Sequence, residues 1–292
     1  MTKKVGIVLA GGGAKGAFQI GVLKVLRQYM KANDQELVAV SGTSIGAFNG
    51  AFLASNQFDL LEQMWMEFDT DNCPLTRTGM FGVVGTMLTK GYAYHPEPLK
   101  RFIKKNLNFK SFIESKITYV NTKVCLTNGE MVLGGNRGRN AALGKDIICK
   151  EIMASMAAIP FTPSVNIDGH EYADGGFKDA VPVEALINAV PNLDKIYIIE
   201  CNKQKRSWKP EISVNSPRTL FAKICFVFDE VMWEECNRSD IEIGKLKYWG
   251  NDDKFTLISP AKVDLRATDF DVDSISEQLN HGISLARSIF TK

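Results

Sequence analysis

Residues 5–26, VGIVLAGGGAKGAFQIGVLKVL, run from an apolar stretch through three glycines into apolar residues at helical spacing. The stretch reads as a buried strand at 4–10. Val22, Leu23, Val25, Leu26 and Tyr29 then give a helix from about 15 to 31 one apolar face. A strand, a glycine turn and a helix open a parallel α/β unit. The turn itself, Gly11-Gly12-Gly13-Ala14-Lys15-Gly16, satisfies G-x-G-x-x-G letter by letter. It offers closely approachable backbone N–H groups to some negative charge, and the question is which one.

Two nucleotide readings fail on neighbouring residues. A phosphate loop of the Walker type ends in Gly-Lys-Ser/Thr, whereas here Lys15 precedes Gly16 and Ala17. A dinucleotide site needs an acidic residue at the far end of the second strand. Asp34 and Glu36 have about the right count but precede the strand expected at 37–40, which is its wrong end. The place of the acid is taken by Ser41-Gly42-Thr43-Ser44.

Gly42-Thr43-Ser44-Ile45-Gly46 is G-x-S-x-G between an expected strand and an expected helix, the setting of a nucleophile elbow. Small residues around Ser44 allow the sharp turn that projects its hydroxyl at a helix head, where developing negative charge is favoured. Two adjacent strand ends thus present a glycine-rich donor loop and an exposed serine. These are the two halves of acyl transfer: a nucleophile, and donors for a tetrahedral oxyanion.

Such a serine needs a base. The three histidines are His95, His170 and His281. The order Ser44, Asp174, His281 matches the chain order of α/β-hydrolase triads, but His281 falls inside the expected final helix rather than on a loop. Ala173-Asp174-Gly175-Gly176 follows a short strand, and its glycines leave the backbone free to aim the aspartate. Asp174 acting directly on Ser44 would be a Ser–Asp dyad, which demands close geometry and some desolvation, because an ordinary carboxylate is a weak base.

Elsewhere, helices are expected at 57–68, 96–107, 146–156, 182–189 and 273–290, and strands at 195–201 and in KFTLIS. Hairpins are expected around Asn128-Gly129 and Asp168-Gly169. The alternation predicts an α/β fold, a three-layer α/β/α sandwich with a mostly parallel central sheet plus C-terminal helices. Residues 203–216 read as a polar connection and about 217–247 as a long helix with a broad apolar face. GMFGVVGTML at 79–88 suits either a mobile wall for an acyl chain or a core segment.

GGGAKG, GTSIG and ADGG, in this order, resemble the patatin-like phospholipases. ASMAAIPFTP at 154–163 is similar to the segment preceding the aspartate strand in that family. The resemblance covers roughly residues 4–202, with Lys15 where many members have arginine. It implies a catalytic core over 1–202 followed by a C-terminal helical extension, 203–292, packed on the same domain. It also implies Ser44 as nucleophile, Asp174 as its partner in a dyad, and Gly11, Gly12 and Gly13 as the oxyanion hole. The function implied is a serine acyl hydrolase of phospholipase A or lysophospholipase type working through an acyl-enzyme, with no cofactor and no metal. The residues leave two alternatives open: an esterase with a Ser44-Asp174-His281 triad, or a non-catalytic module binding acyl lipids.

The bulk properties agree with these expectations. The 292 residues carry 35 basic and 33 acidic side chains, a balance that argues against nucleic acid as partner. Six cysteines are scattered without a C-x-x-C pair, as in packing residues of a reducing compartment. No apolar run approaches 18 residues, and the short N-terminal one reads as a strand rather than a secretion signal. The expected setting is cytoplasmic, with a phospholipid or other acyl-ester lipid as substrate. Peripheral contact with a membrane and self-association are both left open.

Overall fold

β1 (Lys3–Leu9) is buried from Val5 onward and leads through a 3-10 turn, Gly13–Lys15, into α1 (Gly16–Ala32). The computed structural model describes residues 2–68, 73–74, 92–137, 144–202, 252–261 and 270–291. β2 (Gln35–Gly42) lies parallel to β1 and starts before the expected residue 37. Gln35 and Glu36 pair with Lys3 and Lys4 through backbone alone, so hydrophobic pattern does not mark them as strand. Glu36 therefore stands at the start of both strands, the opposite end of the sheet from the glycine turn.

Helices α2 (Ile45–Ala54), α3 (Phe58–Glu67), α4 (Pro96–Asn106) and α5 (Phe109–Ile113) follow. β3 (Thr118–Cys125) and β4 (Met131–Gly135) form the first expected hairpin. Then come α6 (Gly144–Ser155) and the second hairpin, β5 (Val165–Ile167) with β6 (His170–Asp174). α7 (Val183–Ala189), β7 (Lys195–Ile199), β8 (Phe255–Ile258) and α8 (Val272–Phe290) complete the described elements.

The described strands form one eight-stranded sheet in the order β5-β6-β3-β2-β1-β7-β8, with β4 also on β3. Its centre is parallel, and antiparallel pairing is confined to the β3, β4, β5 and β6 corner. Alternate residues divide the core as a sheet with period two must. Ile7, Leu9, Val40 and Tyr197 face the larger cluster with α1, α2, α3 and α8, whereas Val8, Ala39, Ile196 and Ile198 face Val183 and Leu186 of α7. The result is a sheet between two helical layers.

One contact ties the two ends of the chain together. A Cβ on Gly21 of α1 would lie 2.0 Å from the Leu279 carbonyl oxygen, and one on Gly282 of α8 would lie 2.3 Å from that of Phe18. The two helices touch backbone to backbone, which only glycine permits at both positions. The described part of residues 203–292 thus supplies both an edge strand and a helix clamped on α1. The expected connection at 203–216, the helix at 217–247 and the segment 79–88 lie outside the described residues.

Candidate functional site

Register brings the two acidic and nucleophilic motifs together. β4 and β2 overlap on β3 at Val120 and Asn121, so they occupy opposite edges. β6 overlaps β4 at Lys123 and Val124, which puts β6 on the same edge as β2. β2 ends with Gly42 opposite Asn121, and β6, running the other way, ends with Asp174 opposite Lys123. Two strands therefore meet head to head along one edge, about 7 Å apart at two residues of strand rise. Thr122, between the two register points, hydrogen-bonds Thr43 Oγ1 at 2.6 Å, and Thr43 in turn donates to the Asp179 carbonyl at 3.0 Å. The neighbour of Ser44 is bolted to the turn that follows Asp174.

The elbow is a strained turn held from several sides. Ser44 has φ 54° and ψ −122°, a left-handed conformation that a non-glycine residue keeps only where its surroundings impose it. The Thr43 N–H donates to the Leu9 carbonyl at 3.2 Å, and a Cβ on Gly46 would lie 2.1 Å from that same oxygen. The second glycine of G-x-S-x-G is thus required by the end of β1. Sequence reasoning did not find Ser155, whose buried hydroxyl accepts the Ser44 N–H at 3.1 Å. Its only sequence signal is its place in ASMAAIPFTP.

The glycine turn is fixed by long-range bonds. The Ala10 N–H donates to the Ile199 carbonyl at 3.1 Å and the Gly11 N–H to the Ala180 carbonyl at 2.9 Å. The Gly11 N–H, one of the three expected donors, is thus bonded to the Ala180 carbonyl. Among the described residues, the N–H groups of Gly12 and Gly13 have no protein acceptor, and Gly13 has the positive φ of 56° that favours glycine. Below the turn lies a buried polar chain: Gln19 Nε2 donates to the Ala10 carbonyl, Asn49 Nδ2 to Gln19 Oε1, and Trp65 Nε1 to Asn49 Oδ1, at 2.8, 2.9 and 2.9 Å. It fastens the turn to α2, the helix that carries the elbow. Lys15 is buried, and its ammonium donates to Asn202 Oδ1 at 2.9 Å.

Asp174 is buried, and burial pushes its carboxyl up to about 7; the Ser44 hydroxyl and the Gly176 N–H act the other way. The Gly176 bond is 2.8 Å long. A carboxyl raised toward neutrality beside a serine hydroxyl has a pKa suited to accepting a proton near pH 7.

The histidines are engaged elsewhere. His95 Nδ1 accepts the Glu97 N–H at the start of α4, and His170 is exposed at the start of β6. His281 packs on Phe18 at 5.5 Å between ring centres, and its Nε2 accepts the Ala261 N–H at 3.2 Å. None of them contributes to the shift of Asp174. Cys73, Cys125, Cys149 and Cys201 are buried. Among the described residues, no cluster of three metal-binding side chains occurs, and no helix is long and apolar enough to cross a membrane.

The sequence model of the patatin-like phospholipases matches residues 7–187, which include the glycine turn, the elbow and Asp174. The chain belongs to the patatin-like phospholipase family. It is 27% identical over 196 residues to a patatin-like phospholipase domain-containing protein of Caenorhabditis elegans, covering 63% of this chain and 13% of that protein. A lysophospholipase NTE1 of Cryptococcus neoformans is 26% identical over 194 residues, 63% of this chain and 10% of its own length. A lysophospholipase nte1 of Aspergillus terreus is 50% identical over 52 residues, 18% of this chain and 3% of its own length. The chain thus spans a small fraction of the curated relatives it matches. Among solved structures it is similar to VipD from Legionella pneumophila, with TM-score 0.48, 15% identity and coverage of 100% of this chain and 67% of that one.

Proposed function

We propose that this protein is a serine hydrolase that cleaves acyl esters of lipids, of phospholipase A or lysophospholipase type, through a Ser44–Asp174 dyad and an acyl-serine intermediate. The observation that carries the reading is Asp174: a buried carboxyl, titrating at about 7, set against the hydroxyl of a strained elbow serine. Membership of a lipid ester hydrolase family supports the substrate class.

In this mechanism the ionised Asp174 takes the Ser44 proton as Oγ attacks the ester carbonyl carbon. The oxygen gains its negative charge beside the Gly12 and Gly13 N–H groups and the head of α2, which are already oriented and need no reorganisation. Collapse of the tetrahedral intermediate breaks the ester C–O bond, and Asp174 returns the proton to the leaving alcohol. Water, deprotonated by the same carboxylate, then attacks the acyl-serine and releases the fatty acid. A pKa near neutrality lets one group serve as base and then as acid.

The test is turnover of a short p-nitrophenyl ester together with labelling of Ser44 by a fluorophosphonate. Ser44→Ala should lose both, Asp174→Asn should lower kcat by roughly 10²–10⁴-fold, and His281→Ala should leave kcat within a few-fold. Loss of turnover in a folded His281→Ala protein would replace the dyad by a triad. Failure of the unmodified protein to react with any acyl ester would favour a non-catalytic acyl-lipid-binding module. A membrane or lipid aggregate as the site of action follows from the proposed substrate.

A further inference from the structure

A three-residue stretch at the end of α6 touches both members of the proposed dyad. The Ser155 hydroxyl, fully buried, accepts the Ser44 N–H at 3.1 Å, and the Ala157 carbonyl accepts the Asp174 N–H at 2.9 Å. The stretch is stiff, because Met156 and Ala157 donate to Met153 and Ala154, and Ala158 and Ile159 donate to Met156 and Ala157. It is also anchored on the far side. Glu151, one turn back on α6, pairs in the interior with Lys123 of β3, and Lys123 is the register partner of Asp174. The contacts close a ring from Ser44 through Ser155, Ala157, Asp174, Lys123 and Glu151 back to α6.

Ser44 is the residue that most needs such a hold. It stands just ahead of the first residue of α2, where a backbone N–H has no partner within the helix. Its dihedrals lie outside the ordinary wells, so nothing local keeps the peptide in place.

We propose that Ser155 is a positioning residue for the dyad: its hydroxyl fixes the peptide of the nucleophile and, with the Ala157 carbonyl two residues on, sets the approach of Ser44 to Asp174. The proposal rests on the hydrolase reading. Ser155 does not touch the reacting atoms; it acts through the elbow. Its removal lets the Ser44 hydroxyl draw away from Asp174, and the ionised carboxylate loses one of its two stabilising bonds. Other charged groups near Asp174 are Lys123, paired with Glu151, the exposed Glu171 and Lys178, and Asp179, whose carboxylate accepts the Val181 N–H at 3.1 Å. None of them contributes to the shift of Asp174, so the Ser44 contact is the one that a change at Ser155 would alter.

The experiment compares wild type, Ser155→Ala, Ser155→Cys and Ser155→Thr by rate of fluorophosphonate labelling and by kcat and KM on a p-nitrophenyl ester, from pH 5 to 9. The Cys variant preserves packing while offering a poor acceptor, so it reports on the bond even where the Ala variant folds badly; folded fraction is followed by circular dichroism. Ser155→Ala and Ser155→Cys should lower kcat roughly 10–100-fold, leave KM within about twofold, and move the pH midpoint of labelling upward. Ser155→Thr, which keeps the hydroxyl, should recover most of the rate. Folded variants with the wild-type rate and midpoint, or losses that follow the folded fraction at an unchanged midpoint, would overturn the positioning role. A wild-type protein that neither turns over nor labels would instead overturn the hydrolase reading, and the positioning role with it.

Discussion

Replacing Asp174 by Asn should make the protein more stable at alkaline pH while removing activity. The buried carboxyl titrates at about 7 in the folded protein against an ordinary value of 3.8. Between those values the folded state holds a proton that the unfolded chain has released, so stability falls as pH rises through that window. Below about pH 4 both states are protonated and nothing is lost; above pH 7 the full difference applies. Three pH units at 1.36 kcal/mol each amount to about 4 kcal/mol of destabilisation at pH 8. The asparagine has the same shape, no charge to desolvate, and a side-chain oxygen that can keep the 2.8 Å bond from the Gly176 N–H. Asp174→Asn should therefore exceed wild type by about 3–4 kcal/mol at pH 8, or roughly 6–12 °C in Tm for a chain of this size. The advantage should shrink through neutrality and vanish near pH 4. Urea unfolding followed by tryptophan fluorescence from pH 4 to 8.5 reads this directly. A variant less stable than wild type at pH 8, or an offset independent of pH, would show that burial does not hold this carboxyl near neutrality.

Two further substitutions test the scaffold. Gly282→Val should cost about 3 kcal/mol by urea unfolding, because the new Cβ would meet the backbone carbonyl of Phe18 at 2.3 Å, which cannot swing aside. Wild-type stability in that variant would mean that α1 and α8 do not cross at this point. Lys123→Met should cost about 3–5 kcal/mol by leaving the buried Glu151 carboxylate unpaired, and the double change with Glu151→Leu should recover much of it. An additive double variant would show that the two side chains are not coupled.

What the sequence disclosed was whatever is local to a strand end. The glycine turn, the elbow and the aspartate before Gly175-Gly176 each need unusual backbone, and unusual backbone leaves a mark in small residues. The hairpins at Asn128-Gly129 and Asp168-Gly169 were legible for the same reason. The start of β2 was not, since Gln35 and Glu36 join the sheet through main-chain pairing that no side-chain pattern records. Gly11 illustrates a different limit. Three adjacent glycines look equivalent in sequence, and only the distant Ala180 carbonyl decides which N–H is already occupied. Ser155, Gln19 and Asn49 are ordinary polar letters in apolar helices, and their burial follows from contacts across the sheet. The head-to-head meeting of β2 and β6 is likewise a matter of register on β3, the strand along whose one edge both of them pair.

The long span of the bonds around the glycine turn bears on how the protein is made. Lys15 bonds to Asn202, 187 residues later, and the Gly11 amide is settled only when Ala180 arrives. At 5–20 residues per second, Ser44 waits roughly 8–32 s for residue 202. On the proposed dyad, a nascent chain carries Ser44 before Asp174 and the finished turn, and the reactivity of the serine is withheld until residue 202 has been added. On the proposed mechanism, a fragment truncated before residue 174 would be chemically silent as well as poorly folded.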